Sequence, residues 1–478
     1  MRVSILKIDV NILFINPPSK NNKQFVRLID CSHEAKASYL WQPNDFMIIS
    51  SYLKDDETAY LVDGTVDKLH DENFYEEIKD YKDRKIDIVF FALGSASYYD
   101  DLNYFKNIRT IFDDVTICVL GDIFLEKNFR KDIFANEADG IVYKPYNLDL
   151  EKISKIKNLK KKNKKIDIDC LITDFETHPF LVNSKKLTMI ESNIPRHEVF
   201  RKNYSWPFLT TKNFTTVTTM WGCTYSCSYC TSGKMHPISR SNDSIINELR
   251  YIKKLGFDEV QFFDKVFGIP KVDRIKLLKQ IIDEDLSIPF SCYFHPSMYD
   301  AEFLDLMKKA GCHTIIIGID SADLESLALY KRKVSEKTLS SLIDHANKIK
   351  LNVCADFIIG LPHETEQDVI NTINYAKKIK IDYASFNIAA PLPGSSFRDE
   401  AIENKKIKDT DLEDTLHTNF SSKHISSKKL TNMRRKANFE FYFRFEMILR
   451  RLLRLQSFEH LKIQLRQMMG IIKNNLFN

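Results

Sequence analysis

Cys223, Cys227 and Cys230 stand in the run Trp221-Gly222-Cys223-Thr224-Tyr225-Ser226-Cys227-Ser228-Tyr229-Cys230. Three thiols within eight residues can close round one metal centre with little loop entropy to overcome. Four cysteines would satisfy every iron of an iron–sulfur cubane. Three leave one iron open, as a catalytic metal centre requires. A structural zinc site is the rival, and it needs a fourth ligand, for which His236 is the nearest candidate. Such sites usually come as two ligand pairs, a pattern this run lacks. The corresponding non-enzymatic reading is an iron–sulfur or zinc module that senses metal or redox state. The other cysteines, Cys31, Cys118, Cys170, Cys292, Cys312 and Cys354, read as small core or loop residues.

The thiols follow the first of six strand-like runs: Phe214–Met220, Glu259–Asp264, Phe290–His295, Thr314–Asp320, Val353–Ile359 and Ala384–Ala389. Helical periodicity separates them, near Ser244–Leu255, Arg274–Asp285, Ala301–Lys309, Lys337–Ile349 and Glu366–Ile379. This alternation predicts a partial (β/α)6 barrel over 211–405, with its chemistry at the strand C-terminal ends. Asp264, His295, Asp320, Ser321 and Gly360 all fall at such ends.

An earlier alternation fills residues 1–150, with strands at Val10–Asn16, Ala59–Asp63, Ile86–Leu93, Val115–Leu120 and Gly140–Lys144. It predicts a doubly wound, Rossmann-like α/β domain whose strand ends border a ligand crevice. Pro17, Pro18, Gly94, Ser95, Ser97 and Gly121 would form that rim, with Asp122 a costly charge unless paired. Residues 151–210 read as a basic linker and bridging segment, with seven lysines between Lys155 and Lys165. Residues 406–478 form a C-terminal helical region. There Phe441, Phe445, Ile448 and Leu452 make one apolar stripe beside Arg444, Arg450, Arg451 and Arg454. The stripe suits ordinary packing on the barrel, a cover over its mouth, or contact with a membrane surface.

At 478 residues the chain needs two or three domains. A hydrophobic share of 44% with 28% charged residues describes a soluble globular protein. No apolar run approaches a membrane span, and the N-terminus carries no secretory pattern, so a cytoplasmic location is expected. The net charge of +5 is mild and not interleaved with aromatics, so no nucleic-acid partner is expected.

The C-x3-C-x2-C run, with Tyr229 before the last cysteine and a βα array behind it, resembles the signature of the radical S-adenosylmethionine (SAM) superfamily. Phe263-Asp264-Lys265-Val266-Phe267 resembles D-D-x-F, and Gly318-Ile319-Asp320-Ser321 resembles G-I-E-S with Asp for Glu. Gly360-Leu361-Pro362-His363-Glu364-Thr365 resembles G-L-P-G-E-T, with His363 for Gly. Pro391-Leu392-Pro393-Gly394-Ser395 resembles P-L-P-G-T, and Asn16-Pro17-Pro18 lies near the start. Together they are similar to the branch with an N-terminal cobalamin-binding-type domain, over most of residues 10–460. Class B radical methylases and the anaerobic Mg-protoporphyrin cyclase belong to that branch.

The resemblance implies a [4Fe–4S] cluster on the three cysteines whose open iron chelates SAM. Reductive cleavage would give a 5′-deoxyadenosyl radical, with cobalamin-associated methylation of an unactivated carbon as the leading outcome. It places Tyr229 beside the adenine, and Asp264 and Asp320 at ribose or amine contacts. His295 becomes a ligand contact or a packed histidine, and Ser321 and Gly360 border the cofactor. An electron donor such as flavodoxin or ferredoxin and a small-molecule or lipid-like substrate follow. The chain departs from the branch in lacking D-x-H-x-x-G and in having Gly121-Asp122 where Gly-Gly is usual. A cobalamin-independent rearrangement, cyclisation or C–C coupling is therefore the alternative. A methylthiotransferase, with a second cluster on the N-terminal cysteines, ranks below it.

Overall fold

Runs such as Ile88–Ala92 carry no polar residue on either face. Only a strand buried on both sides, as in a parallel sheet covered by helices, accommodates them. The computed structural model describes residues 10–20, 23–161, 168, 170–177, 187–416, 418 and 420–476. The extreme N-terminus and part of the lysine run lie outside the described residues. The chain divides into two compact units, Met1–Glu34 with Leu40–Leu181 and Asn193–Tyr204, and Ala35–Tyr39 with Val182–Ser192 and Ser205–Asn478.

The first unit holds β1 (Asn11–Asn16), β2 (Thr58–Asp63), β3 (Ile88–Ala92), β4 (Thr116–Leu120), β5 (Gly140–Val142) and β6 (Leu171–Ile172), in the order β2-β1-β3-β4-β5-β6. The first five pair in parallel, and β6 runs antiparallel to β5. The strand order reverses between β1 and β3, the point where a doubly wound sheet opens its crevice.

In the second unit β7 (Phe214–Val217), β8 (Glu259–Phe262), β9 (Phe290–Phe294), β10 (Cys312–Asp320), β11 (Asn352–Ile359) and β12 (Tyr383–Ile388) form a parallel sheet in sequence order. Helices α1 (Asn242–Lys254), α2 (Lys271–Asp283), α3 (Ala301–Lys309), α4 (Glu336–Lys348) and α5 (Glu366–Lys378) connect them. Alternate residues such as Val353, Ala355, Phe357 and Ile359 join the helices in one hydrophobic core. The intervening positions therefore face the lumen. This is the partial (β/α)6 barrel.

Two expectations need correction. The first barrel strand stops at Val217, and Met220–Trp221 pairs instead with Ile238–Arg240 in a separate small sheet. The reason is local, since the Thr219 and Met220 N–H groups donate to the Asp264 carboxylate rather than to a neighbouring strand. The C-terminal helical region holds α6 (Ser427–Tyr442), α7 (Phe445–Leu453) and α8 (Phe458–Leu476), so its apolar stripe does not run unbroken.

The break before α7 splits the expected apolar stripe. Phe441 is buried, whereas Phe445, Ile448 and Leu452 are exposed. The arginines face the barrel instead. Arg450 donates to buried Asp382 (2.6 Å), Arg454 to Asn352 (2.6 Å), and the Arg451 guanidinium sits 3.9 Å over the Tyr383 ring. Those partners begin β11 and β12, so α7 caps the floor of the barrel and not its mouth.

Candidate cluster and cofactor site

The cysteine loop starts at Gly222, whose φ of +72° suits glycine, and a Cβ there would lie 2.4 Å from the His236 carbonyl oxygen. His236 itself is bonded through Nε2 to Thr188 (2.7 Å). Ser228 is held from both sides, its N–H donating to Tyr330 O (3.0 Å) and its carbonyl accepting from Phe397 N–H (2.9 Å). Thr231 adds a bond to Pro393 O (3.0 Å). The P-L-P-G turn thus anchors the loop.

Cys223 and Cys227 are buried and Cys230 is half-buried. Burial pushes the Cys227 thiol up, and the Arg332 guanidinium beside it pulls the other way. Among the described residues no three His, Cys, Asp or Glu side chains gather as a single-ion site. A cubane asks for no such convergence, because each thiolate bonds its own iron. The donor set, three thiols on a braced loop, fits a cluster with one open iron.

Arg332 was missed in the sequence, since an arginine in a loop after the fourth strand carries no motif. Its Nε lies 2.8 Å from Asp320 Oδ2, and its Nη2 donates to Gly318 O (2.6 Å). Asp320 also accepts from the Tyr229 hydroxyl (2.8 Å) and adopts φ +68°. Gly318 leaves the space the guanidinium fills, for a Cβ there would lie 2.7 Å from Nη2. Half-buried Tyr229 and buried Asp320 and Arg332 therefore form one group against Cys227.

Asp264 is fully buried and does not join them. Its Oδ1 accepts from Thr219 N (2.6 Å) and Met220 N (3.0 Å), and its Oδ2 from the Thr219 hydroxyl. Burial raises this carboxyl, with Arg274 among the groups that oppose the shift. His295 stacks on Tyr225 of the cysteine loop at 3.9 Å between centroids. Its Nδ1 accepts from Ser297 N–H (3.2 Å), so the proton sits on Nε2, which is buried and has no hydrogen-bond partner among the described residues. Burial, and then Arg332, lower its pKa to about 3, so the ring is neutral.

Ser321 donates to Glu364 Oε1 (3.1 Å), while Glu364 Oε2 accepts from Gly360 N (2.7 Å) and Leu361 N (2.9 Å). Gly360 has φ +82°. The G-L-P-H-E-T run is thus a turn closed by its own glutamate, with Ser321 turned to that glutamate. Burial pushes Glu364 up to about 7.

In the first unit the strand ends are covered by residues 25–34. Arg27 forms a buried bidentate pair with Asp101 (2.8 Å twice) and also donates to Pro17 O (3.1 Å). Asp101 accepts from Gly94 N (3.0 Å) and the Ser97 hydroxyl (2.7 Å). Asp122 accepts from Ser95 N (2.9 Å), the Ser95 hydroxyl (2.7 Å) and Ser32 N (3.0 Å). The expected rim is therefore satisfied by the chain itself. Cys118 and Cys170 are buried and Cys31 is half-buried.

Residues 217–376 match the Radical SAM superfamily. An uncharacterised methyltransferase of Pyrococcus horikoshii is 31% identical over 257 residues, which are 52% of this chain and 54% of that protein. The chain spans about half the length of the curated relatives it matches. Among solved structures, the radical SAM methyltransferase TsrM from Kitasatospora setae, with cobalamin and a [4Fe-4S] cluster bound, gives a TM-score of 0.63 at 14% identity. That match covers 83% of this chain and 78% of that one. The cobalamin-dependent SAM radical enzyme OxsB, with aqua-cobalamin and SAM bound, gives 0.65 at 15% identity, over 98% and 72%. The matched residues span most of the barrel, from the end of its first strand to its fifth helix. Over most of its length the chain shares its fold with these two enzymes. No helix among the described residues is long and apolar enough to cross a membrane.

Proposed function

We propose that this chain is a radical SAM enzyme, with methyl transfer to an unactivated carbon as its leading reaction. The observation that carries the reading is the Tyr229–Asp320–Arg332 group set against Cys227. Cys223, Cys227 and Cys230 would hold a [4Fe–4S] cluster, which with bound SAM supplies a 5′-deoxyadenosyl radical able to abstract hydrogen from carbon. Arg332 supplies a fixed positive charge for the methionyl carboxylate, and the neutral His295 offers Nε2–H as a donor. The methyltransferase relative and the two folds support the methyl-transfer reading. A one-electron donor of the flavodoxin or ferredoxin class and a small-molecule substrate complete it.

A second reading, radical chemistry without cobalamin, is favoured by the cover of residues 25–34 over the first unit's strand ends. Protein prepared with hydroxocobalamin and passed through gel filtration separates the two. Retained cobalt with a cob(II)alamin EPR signal supports the first reading, and SAM cleavage without cobalt supports the second. Both require anaerobic reconstitution to give about four irons per chain and 5′-deoxyadenosine on reduction. A Cys227→Ala variant that keeps an intact cluster would sink both.

A further inference from the structure

Inside the barrel a polar group stands apart from the cysteine loop. The strand register places Gly318, Asp356 and Ser385 in one row across β10, β11 and β12, with Asn387 two residues on. Ala355, Phe357, Ala384, Phe386 and Ile388 all pack outward into the helical core, so Asp356, Ser385 and Asn387 face the lumen. The three are half-buried. The Ser385 side chain beside Asp356 favours its ionised form.

A cation joins them from a distant part of the sequence. Lys36 Nζ donates to Ser385 Oγ (3.0 Å) and to Asn387 Oδ1. Its segment is fixed next door, where Ser38 O accepts from Gln467 (2.8 Å) and Ser205 (3.2 Å). Gly470 of α8 packs so closely that a Cβ would lie 2.4 Å from Ser38 N. Anchoring on this scale holds the lysine in place. Aromatic rings continue from the lysine's segment, where Tyr39 lies edge-on to Trp206 (6.5 Å), and Trp206 is in turn edge-on to Phe263 (6.5 Å) and to the lumen-facing Tyr293 (6.3 Å).

One anion, one cation and two neutral hydrogen-bonding groups in a half-wet lumen make a poor wall for hydrocarbon. They suit a head group carrying both charges. We infer that Asp356 and Lys36 form the substrate's head-group site, and that it takes a molecule with a free α-amino-acid head, ammonium on Asp356 and carboxylate on Lys36. Ser385 and Asn387 bridge the two, and the aromatic side receives the rest of the molecule. Burial, with Asp320 adding to it and Lys36 opposing it, pushes the Asp356 carboxyl up to about 6. A bound ammonium would return it to the ionised form.

What happens to the ligand rests on the radical reading, but its binding does not. The test is therefore calorimetric, on the reconstituted full chain with SAM. The twenty free L-amino acids are screened, and the best is compared with its N-acetyl and carboxamide forms. At least one amino acid should bind, and each blocked form should bind about tenfold more weakly. Asp356→Asn should erase the difference made by N-acetylation, and Lys36→Met the difference made by the carboxamide. Absence of binding by any amino acid to the wild-type chain would overturn the proposal, as would blocked forms that bind equally well. Because the blocked forms are measured on the wild-type chain, they decide the matter even where a variant misfolds. 5′-Deoxyadenosine is measured on the same samples. Binding without cleavage would remove the radical reading alone, and cleavage without binding the head-group site alone.

Discussion

Arg332 and Asp320 meet at 2.8 Å beneath the cysteine loop, and the pair holds Asp320 at φ +68°, a conformation non-glycine residues rarely adopt. A strained, buried carboxylate persists only where its surroundings over-determine it. Here Arg332 and Tyr229 do so from two sides. Arg332→Lys keeps the charge but loses the fork that reaches Asp320 and Gly318 O together. It is expected to raise the KM for SAM about tenfold while iron content stays at the wild-type level. Steady-state kinetics with iron analysis checks this, and an unchanged KM would remove Arg332 from SAM binding.

Gly222 controls the entry to the same loop. An alanine there would combine a positive φ with a Cβ 2.4 Å from the backbone oxygen of His236, which cannot swing aside as a side chain would. The strain of the backbone alone costs about 1–3 kcal/mol. Gly222→Ala should therefore lose most of its cluster on anaerobic reconstitution, while its far-UV circular dichroism stays close to wild type. Full iron loading of that variant would show that the loop tolerates a shift.

Glu364 gives a pH signature of stability. Its folded value of about 7 lies above the 4.5 of an ordinary glutamate, because burial disfavours the charge. The folded state therefore binds the extra proton, and its stabilisation is complete below about pH 4.5 and lost as pH rises through about 7. The change is on the order of 3 kcal/mol at 1.36 kcal/mol per unit. Glu364→Gln removes the titration and keeps an acceptor for the Gly360 and Leu361 N–H groups. Urea unfolding near both ends of the window should show the wild-type chain losing stability with rising pH and the variant staying level.

The barrel was legible in the sequence because its signals are local. Strands such as Val353–Ile359 and helices such as Ala301–Lys309 announce themselves by period, and the three cysteines by spacing. What stayed hidden depends on contacts between distant residues. Arg332 and Lys36 carry no motif, and each acquires meaning only from the strand ends it reaches. The closed strand ends of the first unit were hidden for the same reason, since Arg27 meets Asp101 across 74 positions. The C-terminal arginines also misled. Helical spacing tells which residues share a face, but buried Asp382 decides which face turns inward.

Asp264, placed at a cofactor contact by the resemblance, has its carboxylate turned to the chain's own backbone. All its hydrogen bonds go to Thr219 and Met220, tying the end of β7 to that of β8 just before the cysteine loop begins. Nearby Arg274 is fully buried and donates to Ser239 (2.6 Å), Asn242 (3.0 Å) and the Thr219 carbonyl (3.1 Å), so Asp264 is the charge that balances it. Asp264→Asn keeps the shape but removes that charge and offers an NH2 group where an acceptor is needed. An NH2 turned towards the Thr219 and Met220 N–H groups leaves buried donors unsatisfied, at about 1–3 kcal/mol each. Urea unfolding should report a loss of that order, together with a lower midpoint of thermal unfolding. In the fraction that folds and loads iron, the KM for SAM should stay within about twofold of wild type, since a ratio of two is under 0.5 kcal/mol. A ligand role predicts the opposite pattern, with stability preserved and the KM raised at least about tenfold. That outcome would return Asp264 from the brace of the loop to the cofactor itself.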